Sequence, residues 1–435
     1  MTQPNIIYIH SHDTGRYISP YGHTIATPHL QRLADTGILF RQVYSAAPTC
    51  SPSRSALLTG QAPHSNGMLG LAHRGFRLHD YSHHLVHTLN GAGYHTALAG
   101  LQHLAIDPAE LGYAEILTPT ERHADPVAQT AADFLANGPQ APFFLDVGFF
   151  ETHREFPSAT ANADHVLPPA PLPDTPETRQ DMADFHASAH DLDQGIGTVL
   201  DALDAAGLAD NTLVIYTTDH GLAFPLMKCN LTDHGMGVAF ILRGPGPFDG
   251  STEQARVCDA LISQIDLFPT LCDWLDILAP PWLEGQSFLP VLSGEVDQIN
   301  DAVYAEVSYH AAYEPQRAVR TQRYKYIRRY GERTTPVLPN CDDGPSKDLL
   351  LHHGWQARTV PREALYDLIY DPQEANNLID APAYLAVRDA MRNRLNRWML
   401  DTDDPLLMGP VPAPVGAKIN AVNGLSPKDT PTTVT

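Results

Sequence analysis

The chain has 435 residues, with 28 basic against 50 acidic side chains and a formal charge of −22. Its 43% hydrophobic content excludes wholesale disorder, while 37 prolines and only 18% charged residues point to a compact protein with many structured loops. The acidic balance excludes a nonspecific grip on nucleic acid or an anionic membrane, so an anionic substrate needs a local positive site or a metal.

The first element is the apolar, β-branched run N-I-I-Y-I over residues 5–9, of the kind buried in a parallel sheet. It empties into a polar loop holding His12 and Asp13. A helix follows, with Thr27 as N-cap, Pro28 at its first position, Leu30 and Leu33 on its apolar face, and Gly37 as its stop. The sequence C-S-P-S-R at 50–54 opens a second helix that ends near Gly60. Residues 143–147 and 213–216 are further buried strands, with a helix over roughly 186–206 between them. Strands alternating with helices predict an α/β fold: a large, mostly parallel sheet sandwiched by helices.

The character changes after about residue 300. Residues 319–327 alternate polar and apolar, as in an exposed antiparallel strand, and residues 385–400 read as an amphipathic helix packed on a smaller sheet. From Met408 the chain turns to Pro, Gly, Thr and Ala without periodicity: an arm on the surface or on a partner subunit, or a disordered tail. The expected organisation is a catalytic α/β domain over 1–300, a smaller α+β subdomain over 301–407 and an extended tail over 408–435. Neither a long apolar run nor a secretory leader pattern is present. The five cysteines (Cys50, Cys229, Cys258, Cys272, Cys341) form no CxxC pair. These features predict a cytoplasmic protein with reduced thiols and no membrane partner.

Chemistry-bearing residues sit at strand ends, where open α/β sheets place their ligand crevice. Asp13 follows the first strand, His153 the strand at 143–147, and Asp219 and His220 the strand at 213–216. Asp13, Asp219 and His220 suit a divalent cation, although Asp-His-Gly is equally a turn sequence, so spacing alone leaves the metal open. Cys50 falls at the amino end of a helix, where the dipole favours an anion, and Arg54 one turn on can point back at it.

The segment Cys50-x-Pro-x-Arg54, followed by S-A-L-L-T-G to Gly60, resembles the sulfatase family of the alkaline phosphatase superfamily, in which this cysteine is oxidised to formylglycine. The resemblance extends through residues 5–13, 217–221, 265–270, 285–290, 320–327 and 365–378, nearly the whole chain apart from the tail. It implies an alkaline phosphatase-like fold and a maturation partner, a formylglycine-generating enzyme. It also implies one divalent metal at Asp13, Cys50, Asp219 and His220, with calcium the first choice and magnesium or manganese the alternatives. Arg54 would hold the formylglycine hydroxyl, His103 would be its hydrogen-bond partner or base, His153 a general acid, and Lys228 a clamp on the sulfate oxygens.

Two departures stand out. Leu101 occupies a place where the family usually has a lysine, and His12 stands where many sulfatases have a second aspartate. His12 could ligate, support a ligand, or only pack beside the site. A single aspartate there, with Asp-His later, resembles the phosphonate monoester hydrolase branch. Asp233 and His234 could also line the pocket, whereas the pairs His83-His84 and His352-His353 read as loop residues. The leading expectation is an arylsulfatase-type enzyme that hydrolyses a small aryl or alkyl sulfate ester, with homo-oligomerisation through the tail an open possibility. The rivals are a phosphonate monoester or phosphodiester hydrolase and a non-catalytic metal- or sulfate-binding protein.

Overall fold

In the computed structural model of the chain, residues 3–159, 162–250 and 257–435 are described. The strand Asn5–Ser11 is buried along its whole length because it lies inside an eight-stranded sheet, flanked in parallel by Phe143–Gly148 and Thr212–Thr218. Ile9 registers with Val147 on one side and with Tyr216 on the other, so the three strands end together. Beyond Phe143–Gly148 lie His95–Gly100 and Glu115–Leu117, both parallel. On the other side Phe240–Arg243 runs antiparallel, which makes the sheet mixed.

Alternate side chains feed two cores. Ile7 and Ile9 pack with the helices Pro28–Thr36, Ala124–Ala136 and Pro176–Ala205. Ile6 and Tyr8 face the helices Cys50–Thr59, Leu85–Gly91 and Leu267–Trp274. Each such fully buried aliphatic chain contributes roughly 1.5–3 kcal/mol. Thr27 and Gly37 flank Pro28–Thr36 as the sequence predicts. The long helix starts at Pro176, ten residues before the predicted 186, because Thr175 forms a capping box with Thr178 and Pro176 fits the first turn.

The smaller sheet contains Val303–Tyr309, Tyr313–Arg320, Tyr324–Arg329 and Glu363–Asp367, all antiparallel. The predicted single exposed strand over 319–327 is therefore a hairpin, and it is buried. Val319 and Tyr326 pack against Leu395 and Met399 of the helix Leu385–Asp401, while Ala318 and Ile327 pack on Tyr44 and Met236 of the large unit. The tail lies ordered on its own chain, where Lys418–Ile419 pairs with Thr432–Thr433. Among the described residues no helix is long and apolar enough to cross a membrane, and all five cysteines are free thiols.

Candidate active site

The three central strands deliver their loops to one edge of the sheet. Past the first strand, the N–H of His12 donates to Glu151 O at 2.9 Å, and the N–H of Thr152 donates to His12 O at 2.8 Å. Strand pairing thus continues into the loops and sets His12, Asp13 and His153 side by side. Asp13 adopts a left-handed φ of 53°, unusual outside glycine and common where a side chain must be aimed at a site. Its N–H donates to Asp219 Oδ1 at 2.8 Å, and the N–H of His220 donates to the same oxygen at 2.9 Å. Gly221 is required in Asp-His-Gly because His234 O lies 1.8 Å from where a Cβ would stand. The sequence is a turn, and it is also part of the site.

Cys50 opens a ten-residue helix that is buried throughout. Its Sγ lies 3.4 Å from His220 Nε2, which is 3.2 Å from Asp13 Oδ1 and 3.7 Å from Asp219 Oδ2. His220 Nδ1 lies 2.9 Å from Gly221 O, a contact that needs the proton on Nδ1 and leaves the Nε2 lone pair facing the cluster. His12, Asp13, Cys50 and Asp219 offer ligand atoms within 4.8 Å of one another, all buried. Asp13 Oδ1 and both ring nitrogens of His12 are buried without a hydrogen-bond partner, although His12 Nδ1 is 3.1 Å from Asp219 Oδ2. Unsatisfied buried acceptors on an oxygen- and imidazole-bearing set fit a divalent cation. His12 therefore joins the four positions that the resemblance implied.

Two cations border the cluster. Arg54 Nη2 donates to Asp219 Oδ2 at 3.0 Å and to Ser11 O at 2.9 Å, and Nη1 contacts His10 Nδ1. His10 Nε2 in turn donates to Asp146 Oδ1 at 2.9 Å, a buried relay that fixes the guanidinium. Lys228 Nζ bridges Asp13 Oδ2 and Asp342 Oδ2, each at 3.0 Å. The N–H of Cys229 donates to Pro48 O at 2.8 Å, tying the Lys228 loop to the segment before Cys50. Three carboxylates (Asp13, Asp219, Asp342) face these two fixed cations, a local negative excess that a divalent cation reverses.

Burial and charge set the protonation pattern. Burial would raise the carboxyl of Asp219, but His220, Arg54 and His12 hold it well below the usual range. Burial would likewise raise Asp342, which Lys228, His153 and His310 keep strongly acidic. Lys228 is opposed by burial, yet Asp13 and Asp342 hold its ammonium well above the ordinary value. Burial pushes the Cys50 thiol well up, and pushes His12 and His103 well down, with Arg54 adding to both imidazole shifts. The unmodified cysteine is thus a neutral thiol and a poor nucleophile, and the two imidazoles are neutral.

His103, with φ 58°, holds Nε2 at 2.9 Å from His73 Nδ1, while its own Nδ1 is buried and unpartnered. The His103 and His153 rings sit 5.6 and 5.7 Å from that of His12. All eight expected site residues (Asp13, Cys50, Arg54, His103, His153, Asp219, His220, Lys228) therefore line one centre. Asp233 does not: it is consumed by Arg320 at 3.1 Å and by Lys325 beside the smaller sheet. His234 lies with it, 3.4 Å from the hydroxyl of Tyr17. His84 caps the helix Leu85–Gly91 and His83 stacks on Trp282. Asp342, His73 and Asp146 were not singled out in the sequence, since none lies in a matched motif; His10 lies in the matched segment 5–13 but carried no role there. The one available signal was His10, directly on the first strand.

Known proteins resemble this chain along most of its length. A family model described as Sulfatase matches residues 4–277, and one described as N-sulphoglucosamine sulphohydrolase, C-terminal, matches residues 227–348. The chain is 29% identical over 472 residues to human N-sulphoglucosamine sulphohydrolase, covering 93% of this chain and 92% of that protein. It is 28% identical over 436 residues to an ulvan-active sulfatase of Formosa agariphila, covering 95% and 83%. Among solved structures, a 2-O GAG sulfatase superposes with a TM-score of 0.72 at 22% identity, covering 95% of each chain. A protein solved with its substrate D-glucosamine-2-N,6-O-disulfate gives 0.70 at 20% identity, covering 92% of this chain and 98% of that one. With the family model matching residues 4–277, well over half of the chain, and relatives matching over almost its full length, this protein belongs to the sulfatase family, the hydrolases of sulfate esters.

Proposed function

We propose that the protein removes a sulfate group from a sulfated saccharide, using a formylglycine made from Cys50 and one divalent cation. The observation that carries the chemistry is Cys50 at a buried helix start, 3.4 Å from His220 Nε2 and within ligand reach of Asp13 and Asp219. A geminal diol at residue 50 would supply one hydroxyl to attack sulfur and a second whose collapse to the aldehyde releases sulfate. A cation held by Asp13, Asp219 and His220, with His12 alongside, would supply charge to ionise that hydroxyl; oxygen-rich ligation suits calcium.

The remaining steps fall to side chains already in place. Lys228 and Arg54 offset charge on the sulfate oxygens and hold the residue-50 oxygen. His103 accepts a proton at its free Nδ1 when its Nε2–H donates to His73. His153 faces the same space and donates a proton to the departing oxygen. The saccharide assignment is supported by the relatives, whose names include an N-sulphoglucosamine sulphohydrolase, ulvan-active sulfatases and a hexuronate-2-O-sulfatase. An arylsulfatase and a choline-sulfatase also match, which keeps small aryl and alkyl esters as useful probes.

The test is sulfate release by protein co-expressed with a formylglycine-generating enzyme, with Cys50→Ala as control. The substrates are an aryl sulfate, sulfated glucosamines and an aryl phosphonate with the same leaving group. Sulfate release from a saccharide, lost in Cys50→Ala, is the expected result. Turnover of the phosphonate alone, or equal rates for the two proteins, overturns the reading.

A further inference from the structure

A cavity of about 720 Å³ is lined by His153 and Asp342 of the candidate site. One wall carries Arg122, whose guanidinium lies 4.2 Å above the ring of Phe150 and has no carboxylate within ion-pair reach among the described residues. Pro427 and Lys428, near the end of the chain, also line the cavity. Pro427 O accepts from Arg74 Nη2 at 3.0 Å, Ser426 Oγ donates to Asp343, and Lys428 Nζ meets Glu155 Oε1 at 2.7 Å. These anchors pin residues 426–428 between the loop after His153 and the residue next to Asp342.

Three other features of the rim fix its chemistry. Arg154 is spent on Asp181, in a buried bidentate pair at 2.7 and 2.8 Å. Asp343 pairs with Lys347 at 2.8 Å, Asp342 shares Lys228 with Asp13, and two further carboxylates, Glu151 and Asp191, line the cavity. The Lys428–Glu155 pair is different, because its side chains are 70% and 81% exposed. An ion pair so open to water is weak, so a substrate anion can take the ammonium from Glu155 at little cost. Arg122 has no partner to give up.

We infer that this cavity is a subsite for a second anionic substituent on the substrate, gripped by Arg122 and by Lys428 of the C-terminal segment. Phe150 holds the Arg122 guanidinium in place over its ring. The substrate class is then a small saccharide bearing one sulfate at the reacting centre and a further sulfate or carboxylate beyond it. This inference rests on the saccharide reading of the site and specifies it.

The test is calorimetric binding to metal-loaded Cys50→Ala protein, which cannot turn the ligand over. Three ligands are compared: a singly sulfated glucosamine, a doubly sulfated glucosamine, and a disaccharide pairing one sulfate with a uronic acid. One charge-assisted contact at a half-open site predicts about tenfold tighter binding of a dianionic ligand, with the preference lost in Arg122→Ala and cut about threefold in Lys428→Ala. The uronate arm tells a carboxylate from a sulfate as the second anion. The inference is overturned if no dianionic ligand outbinds the single sulfate, or if the preference survives Arg122→Ala. Failure of the saccharide reading is seen separately, as the absence of sulfate release from any saccharide by the wild-type enzyme.

Discussion

His64, Glu306 and Asp404 form a buried cluster within ligand reach of one another, as do His12, Asp13, Cys50 and Asp219. In the first, Arg317 occupies the centre. Its guanidinium reaches Asp404 at 2.6 Å, Glu306 at 3.0 Å and Val307 O at 3.0 Å, while His64 Nδ1 donates to Glu306 at 2.9 Å. None of these four side chains keeps a buried polar atom without a partner among the described residues. In the second, carboxylate and imidazole atoms converge and are left over. A buried acid cluster that brings its own cation is a joint between sheet and helix; one that leaves acceptors open is a place for something to bind.

Five substitutions would break or sharpen that contrast. The largest effect is expected from Cys50→Ala, which should lower turnover of any sulfate ester by at least about 10⁴-fold in initial-rate assays while leaving the melting curve nearly unchanged. A comparable residual rate would move the nucleophile elsewhere. Next, Arg317→Ala should destabilise the fold by about 3–5 kcal/mol in urea, because it strands Glu306 and Asp404. Asp13→Asn should cost under about 1 kcal/mol in the metal-free protein, since Lys228 keeps Asp342 and a crowded negative charge is relieved, yet it should abolish one-to-one metal binding. Equal destabilisation by the two changes would erase the distinction between the clusters.

Lys228→Met should lower kcat by about 10²–10³-fold, the usual loss for one oxyanion-stabilising donor, with little change in KM. An effect on KM alone would make Lys228 a ground-state binder. A further effect concerns His84, buried outside both clusters and held neutral, with burial bringing its imidazole down to about 4. Because the folded value lies below that of the unfolded chain, its contribution is complete above about pH 6.5 and is lost as pH falls towards 4, up to roughly 3 kcal/mol. Urea midpoints measured between pH 7 and 4 should show this slope. His84→Asn, which keeps an acceptor for the Val86 N–H, should flatten it; an unchanged slope would assign the acid sensitivity to other groups.

Much of the centre was legible because its residues lie at strand ends or in a continuous motif. Asp13, Asp219 and His220 follow apolar runs that had to be buried strands, and Cys50 with Arg54 shares one helix turn. Asp342 was not legible: it meets Lys228 from a loop 114 positions later in the chain, with no periodicity to mark it. The hairpin at 313–329 was misread because its turn, Thr321-Gln-Arg323, contains no glycine, proline or asparagine. Its alternation suggested a solvent face, yet Lys325 is buried against Asp233 and Glu374 at the joint between the two sheets. Polar residues paired across such a joint look, in sequence, like residues facing water. Residues 426–428 carry no pattern at all, and only the fold brings Lys428 beside Glu155, 273 positions away.

The ten buried residues of the Cys50 helix also impose a schedule on the molecule. Only 1% exposed beneath the ends of three strands, Cys50 offers nothing for another protein to grasp once the sheet has closed over it. Any catalyst that alters this side chain must meet residues 50–54 as an extended peptide, while Asp219 and Lys228 are still far away along an unfolded chain. Were activity to require that alteration, folding would then seal the result, and the proportion of competent molecules would be fixed at birth. An enzyme preparation would carry that history as a constant active fraction, which no later addition of metal or modifying factor could raise without first unfolding the protein.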